Sequence, residues 1–201
     1  MLAEKSPPHT TSTPFARGAK WMALTTGGLS LGWALSALFR FEEATALVLL
    51  PGITSGIAQW WFFRPLPKAF LWLVISTLSS PFVGFLVIVM LLHSYPTDLD
   101  PPLYARIAVS SLILLATGLA QFLVLRRWFL HTGLWIPTSA IAWLIAYLLL
   151  DSLKYLQSWP ATTGLPAFFQ LAFFGAFLGA VQGSITGALI AYLEPRPPPG
   201  A

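Results

Sequence analysis

The sequence predicts an all-α membrane protein: six transmembrane helices, arranged as three repeated two-helix hairpins in pseudo-threefold fashion, with both termini cytoplasmic. Three observations lead there. Apolar runs close to the ~20 residues that span a bilayer recur along the chain, in a composition 56% hydrophobic and 9% charged with a mean hydropathy of +0.73. A short element comes back: Gly56-Ile57-Ala58-Gln59-Trp60-Trp61-Phe62-Phe63-Arg64 is echoed by Gly118-Leu119-Ala120-Gln121-Phe122-Leu123-Val124-Leu125-Arg126, and its Gly and Gln by Gly179-Ala180-Val181-Gln182. Basic residues, finally, gather in alternate loops.

The runs are continuous, whereas a transmembrane β-barrel would show short alternating segments. The net charge of +4 could point to nucleic acid, but the bases sit in short loops beside apolar runs, where they set topology. The partner expected is the lipid bilayer, with protein partners inside it and no nucleic acid. With no cysteine, disulfides, thiol redox chemistry and thiolate metal sites are excluded.

Residues 1–16, rich in Pro, Ser and Thr, cannot bury apolar area and are expected to be a flexible cytoplasmic tail. The transmembrane domain occupies 17–194, with spans at about 21–39, 44–63, 69–92, 107–125, 133–150 and 166–193. Lys20 and Arg40 bracket the first span. A cleaved signal peptide with Ala34-Leu35-Ser36 as its small-residue site is the alternative there. The long leading tail, and a Trp21 placed like the tryptophans that begin the later odd spans, favour a retained helix. Arg64-Pro65-Leu66-Pro67-Lys68 is a tight turn into the third span. His93 to Tyr104 is a longer polar loop holding Asp98 and Asp100. The fourth span ends at Arg126-Arg127. Between the fifth span and Pro166, which opens the sixth, Leu153, Leu156 and Trp159 could lie along the membrane surface. Residues 195–201 form a proline-rich tail.

Orientation follows from the positive-inside bias. Lys5, Arg17, Lys20, Arg64, Lys68, Arg126, Arg127 and Arg196 fall on one side; Arg40, Arg106 and Lys154 fall on the other with Glu42, Glu43, Asp98, Asp100 and Asp151. Both termini are therefore expected in the cytoplasm, which agrees with an even number of spans.

Extended by one turn, the repeated element reads G-x-x-x-G-x-x-Q from Gly52 through Gly56 to Gln59. It recurs from Gly175 through Gly179 to Gln182, with Leu114 ahead of Gly118 and Gln121 in the middle copy. At 100° per residue these positions share one helix face. Glycines admit a neighbouring backbone and a glutamine amide bonds across the contact, so helix packing is the expected role; a polar path lined by Gln59, Gln121 and Gln182 is the alternative. Trp21, Trp60, Trp72 and Trp135, with Trp61 and Trp128, are expected at the cytoplasmic boundary as interfacial anchors. Arg64 and Arg126 would close their helices against the dipole.

In Gly52, Gly56, Gln59, Trp60, Arg64 and Trp72, and in part in Gly118, Gln121, Leu125, Arg126, Arg127 and Trp135, the chain resembles bacterial multi-pass integral membrane proteins that repeat G-x-x-x-G-x-x-Q-W, then L-R, then a downstream W, especially those of photosynthetic bacteria. The resemblance covers nearly the whole chain. It implies a fold, a home in the bacterial cytoplasmic membrane or its intracytoplasmic or thylakoid derivative, and no chemistry. Phe122 and Gly183 depart from the pattern and speak for diverged repeats.

No span holds a well-centred Asp, Glu, Lys or Arg, the residues that mark ion-coupled transport. No G-x-S-x-G and no phosphate-binding glycine loop is present, so catalytic residues and enzymatic activity are not expected. His93 and His131 sit at span ends and are the candidate ligating side chains, but neither has a second histidine at metal-ligand spacing. No metal or cofactor is expected; a pigment, quinone or lipid held by the aromatic belt is the alternative. Pro51, Pro81 and Pro137, each beside small hydroxyl residues, read as kinks within spans. The expected function is that of a non-enzymatic structural or accessory subunit, or an assembly factor, of a larger membrane complex, photosynthetic or respiratory. The alternative is a small-solute transporter or channel with a path along the three-hairpin axis.

Overall fold

The computed structural model describes residues 13–38, 44–78, 115–156 and 165–196. The protein is all-helical: α1 (Pro14–Leu38), α2 (Ala44–Phe63), α3 (residues 70–78), α4 (Leu115–Leu125), a 3-10 turn (Thr132–Leu134), α5 (Trp135–Leu156) and α6 (Leu165–Tyr192). Arg40, Pro81, His93, Asp98, Asp100, Arg106 and Trp159, and residues 79–92 and 107–114 of the expected third and fourth spans, lie outside the described residues. Among the described residues one stretch, Ala167–Tyr192 of α6, is long and apolar enough by itself to cross a membrane.

α1 lies between α6 and α2. Along α6, glycines recur every four residues at 175, 179, 183 and 187, so they form one stripe. That stripe meets α1 antiparallel: Gly187 against Gly18, Gly183 against Met22, Gly179 against Thr26 and Gly175 against Leu29. A methyl group built on Gly179 would stand 2.6 Å from the Thr26 Cα, and one on Gly175 would strike the Leu29 carbonyl. Ser30 Oγ adds a bond to the Ala172 carbonyl, 2.9 Å. On its other side α1 presents Gly28 to Ser55 and Gly32 to Pro51 of α2, again antiparallel. Thr54 Oγ1 of α2 lies 2.6 Å from the Gly28 carbonyl. The contacts continue from α2 to α3 (Gly56 on Thr77), from α3 to α4 (Ser76 with Gln121), from α4 to α5 (Gly118 near Ile136 and Ser139), and from α5 back to α6.

Four boundaries differ from the sequence expectation. α1 starts at Pro14 rather than near residue 21. Thr13 Oγ1 accepts from the Ala16 amide at 3.3 Å, and Arg17 donates to the Ala191 and Leu193 carbonyls at 3.2 and 3.4 Å. A cation on the orphan carbonyls at a helix C-terminus is favourable, so residues expected in the tail are helical. α5 continues through Asp151 to Leu156, where a loop was expected. It also begins at Trp135, which puts Pro137 in the first turn, where a missing N–H costs no helical bond; Pro137 is not a mid-span kink. Pro195 and Arg196, expected in a tail, dock on the α4–α5 connection: the Arg196 amide donates to the Trp128 carbonyl (2.8 Å), its Nε to the Phe129 carbonyl (3.1 Å), and Leu130 N–H to the Glu194 carbonyl (2.8 Å).

Among the described residues two that are not glycine take a positive φ, Lys68 (φ 59°) and His131 (φ 56°). Each stands four residues before a tryptophan, Trp72 and Trp135, and turns the chain from one helix into the next. Arg17 stands four before Trp21. No chain connection exists there, and the Arg17 guanidinium on the end of α6 takes the place of a covalent turn.

The exterior is apolar: Leu31, Ile57, Phe70, Leu78, Leu119, Ile145, Phe169 and Phe173 are among the exposed large side chains. Thr25, Gln59, Ser76, Gln121, Ser139, Gln182 and Thr186 are buried. Large apolar side chains are thus exposed in number while several small polar ones are buried.

Candidate functional site

Each odd-numbered helix carries a tryptophan and, four residues on, a small hydroxyl: Trp21 and Thr25, Trp72 and Ser76, Trp135 and Ser139. Four residues make about one turn, so ring and hydroxyl stack on one face. The structure turns all three faces inward. The three indoles touch one another in a near-equilateral triangle, with every centroid separation 5.8 Å and interplanar angles of 74°, 82° and 77°. Edge-to-face pairs of this kind contribute about 0.5–1.5 kcal/mol each beyond area burial. Phe63 packs on Trp72 at 4.7 Å and on Trp21 at 5.4 Å, and Leu125, Ile190 and Leu193 complete the cluster.

This corrects the expected position of these tryptophans. Trp21, Trp72 and Trp135 are 0%, 0% and 1% exposed, so they are core residues and not lipid-facing anchors. Trp60 is half-buried against the same cluster. Trp128 is buried and donates to the Pro67 carbonyl at 2.9 Å. Trp61 does face outward, with the Arg64 guanidinium 3.9 Å above its ring. Arg64 and Arg126 are exposed at the ends of α2 and α4.

One layer further in lie the amides. Gln59 Nε2 donates to Thr25 Oγ1 (3.3 Å), and Gln121 Nε2 donates to Ser76 Oγ (3.2 Å). Gln121 also reaches forward, accepting at Oε1 from the Trp135 indole (3.0 Å). The third copy is wired differently. Where Phe63 and Leu125 follow Gln59 and Gln121 by four residues, Thr186 follows Gln182. Its hydroxyl takes the Trp21 indole proton at 2.8 Å and donates to the Gln182 backbone carbonyl at 2.8 Å. Gln182 Oε1 and Trp72 Nε1 are left without a partner among the described residues.

The sequence placed Gly52, Gly56 and Gln59 on one face. In the structure Gly56 meets α3 through Thr77 while Gln59 turns to Thr25 of α1, and Gly52 is half-buried with its carbonyl accepting from Ser55 Oγ at 3.3 Å. Gly118 has ordinary contacts, the nearest atom 3.5 Å from a built methyl group. The tightest approaches belong to Gly28, Gly32, Gly175 and Gly179. Of these, Gly28 and Gly32 escaped the sequence reading, and so did Gly18 and Gly187. The four-residue spacing of Gly28 and Gly32, and of Gly187 after Gly183, was the available signal; Gly18 offered none. Gly183, read as a departure from the motif, is the third member of the α6 stripe. The hydroxyl four residues after each tryptophan was also missed, though the same spacing displays it.

His131 is exposed at the start of the α5 turn and makes no side-chain capping bond. Among the described residues no group of three His, Asp or Glu side chains is placed to hold a metal ion. Comparison of the chain with protein-family models, with curated proteins and with solved structures gives no match.

The wiring makes an asymmetric prediction. Gln121→Leu strands the buried Ser76 hydroxyl and Trp135 indole, and should destabilise by about 2 kcal/mol or more, since each stranded buried partner costs roughly 1–3 kcal/mol. Gln182→Leu removes an amide whose Oε1 has no partner among the described residues and should cost clearly less. Thermal unfolding of the two variants in detergent, followed by tryptophan fluorescence, checks the order; equal losses would show that the hydrogen bonds carry no weight.

Proposed function

We propose that this chain is a non-enzymatic integral membrane protein that serves as a structural or accessory subunit, or an assembly factor, of a larger membrane complex. In this reading six helices cross the bilayer as three repeated hairpins about a pseudo-threefold axis, with both termini cytoplasmic. The three equal 5.8 Å separations of Trp21, Trp72 and Trp135 support such an axis.

The observation that carries the functional reading is what occupies the axis. Three tryptophans in mutual contact lie where that axis would run, and Phe63 packs over two of them. The polar groups beside them are neutral amides and hydroxyls engaged in holding helices together. No Asp, Glu, Lys, Arg or His is among the buried described residues. Proton or ion coupling normally requires such a group. Interior chemistry of this kind builds a rigid scaffold, whose outward apolar faces are free for lipid and for neighbouring membrane subunits.

Extraction of native membranes with a mild detergent, followed by size separation and mass spectrometry, tests the proposal. Stoichiometric co-migration with a large complex is expected. Migration alone, near the size of one or a few copies, would overturn the subunit assignment and turn attention to solute flux. There, loss of transport by Gln59→Leu with Gln121→Leu at undiminished protein level would mark a path in place of packing.

A further inference from the structure

We propose that the end of the molecule formed by the interhelical turns is a binding surface for anionic phospholipid headgroups. The inference rests on the membrane reading above and names the lipid chemistry at one face. Lys20, Arg64, Lys68, Arg126, Arg127 and Arg196 are all exposed, and the fold brings them to the same end. Trp128 of the α4–α5 connection donates to Pro67 of the α2–α3 turn. Arg196 bonds the Trp128 and Phe129 carbonyls, and the first turns of α1 sit on the end of α6 through Arg17. Glu194 is the acidic residue at this end among the described residues, so the face carries a large excess of positive charge. Arg17 is not counted in it, because its guanidinium is engaged by the α6 carbonyls.

What selects lipid over an acidic protein is the company these cations keep. Phe15, Trp61, Phe70 and Tyr192 are 84%, 49%, 63% and 70% exposed at the same end of the helices. The Arg64 guanidinium stands over the Trp61 ring, 3.9 Å from its centroid. Large apolar and aromatic side chains ringing a basic end match the boundary of a bilayer, where rings settle at headgroup depth and cations meet phosphate. The interfacial belt is thus built from outward-facing Phe15, Trp61, Phe70 and Tyr192, while the tryptophans at the helix starts turn inward.

The test is reconstitution of the full chain into vesicles of phosphatidylcholine containing a minority of phosphatidylglycerol, followed by native mass spectrometry of the lipids retained on the released protein. Retained phosphatidylglycerol should exceed its bulk share by roughly three- to ten-fold, the scale expected when several cations face an anionic lipid. The enrichment should fall by more than half in the Arg64→Gln, Arg126→Gln, Arg127→Gln triple variant, which keeps Lys20, Lys68 and Arg196, and should fall to the bulk share in wild type at about 1 M salt, where screening shortens to about 3 Å. These three side chains are exposed, and an unchanged unfolding temperature verifies that the variant is folded. Reconstitution with both lipids retained at their bulk ratio overturns this inference and leaves the membrane reading standing. Preferential capture of a polyglutamate peptide without lipid enrichment overturns it in favour of an acidic protein partner. A chain that stays monodisperse without detergent and does not enter vesicles overturns the membrane reading itself.

Discussion

Replacing any one of Trp21, Trp72 or Trp135 by alanine is expected to cost about 3–5 kcal/mol, the range for emptying a buried aromatic site. Each ring is fully enclosed and touches the other two at 5.8 Å, so removal of one unsupports both neighbours. For a chain of this size the loss corresponds to roughly 6–20 °C in the unfolding midpoint. Substitution by phenylalanine separates the three positions. Trp72→Phe should be the mildest, because the indole N–H it removes has no partner among the described residues. Trp135→Phe leaves the buried Gln121 Oε1 without its donor and should cost about 1–3 kcal/mol more. Trp21→Phe should fall between them, since Thr186 keeps its bond to the Gln182 carbonyl. Thermal unfolding of the six variants in detergent reads the series. Alanine variants that unfold with wild type would place these rings outside the core.

Gly175→Ala and Gly179→Ala should each destabilise by about 1–3 kcal/mol, the usual cost of overpacking, even though alanine is the better helix former by about 1 kcal/mol. The added methyl meets α1 backbone, which has no rotamer to move aside, and the two helices must separate along the stripe. Gly27→Ala is the internal control. A methyl there meets nothing within 4 Å, so helix propensity alone should make it neutral or slightly stabilising. If Gly179→Ala behaves like Gly27→Ala, the close α1–α6 approach is wrong. The joint matters more than an ordinary seam because no turn of chain connects α6 to α1; glycines and the Arg17 cap hold it.

The all-helical class was legible because apolar runs of bilayer length leave few other ways to satisfy their backbone groups. The recurrence of Gly and Gln pointed to residues that do lie at helix contacts, Gly56, Gln59, Gly118, Gln121, Gly179 and Gln182 among them. Even the end of the third copy was readable in principle, since a glycine every four residues from 175 to 187 states its own face.

Direction was not legible. A tryptophan at the start of an apolar helix suits a lipid interface and a protein interior equally well, because in either place its ring is buried and its N–H finds an acceptor. The acceptor for Trp21 is Thr186, 165 residues away, and nothing local distinguishes it from a headgroup. The beginning of α1 was hidden for the same reason. Residues 14–20 look like a polar lead until the carbonyls of α6 arrive to receive Arg17. Composition and spacing, which act along one helix, determined the all-helical class and marked some of the residues at its contacts. Which way each face turns depends on register between helices far apart in sequence, and that was decided only when the tertiary structure brought them together.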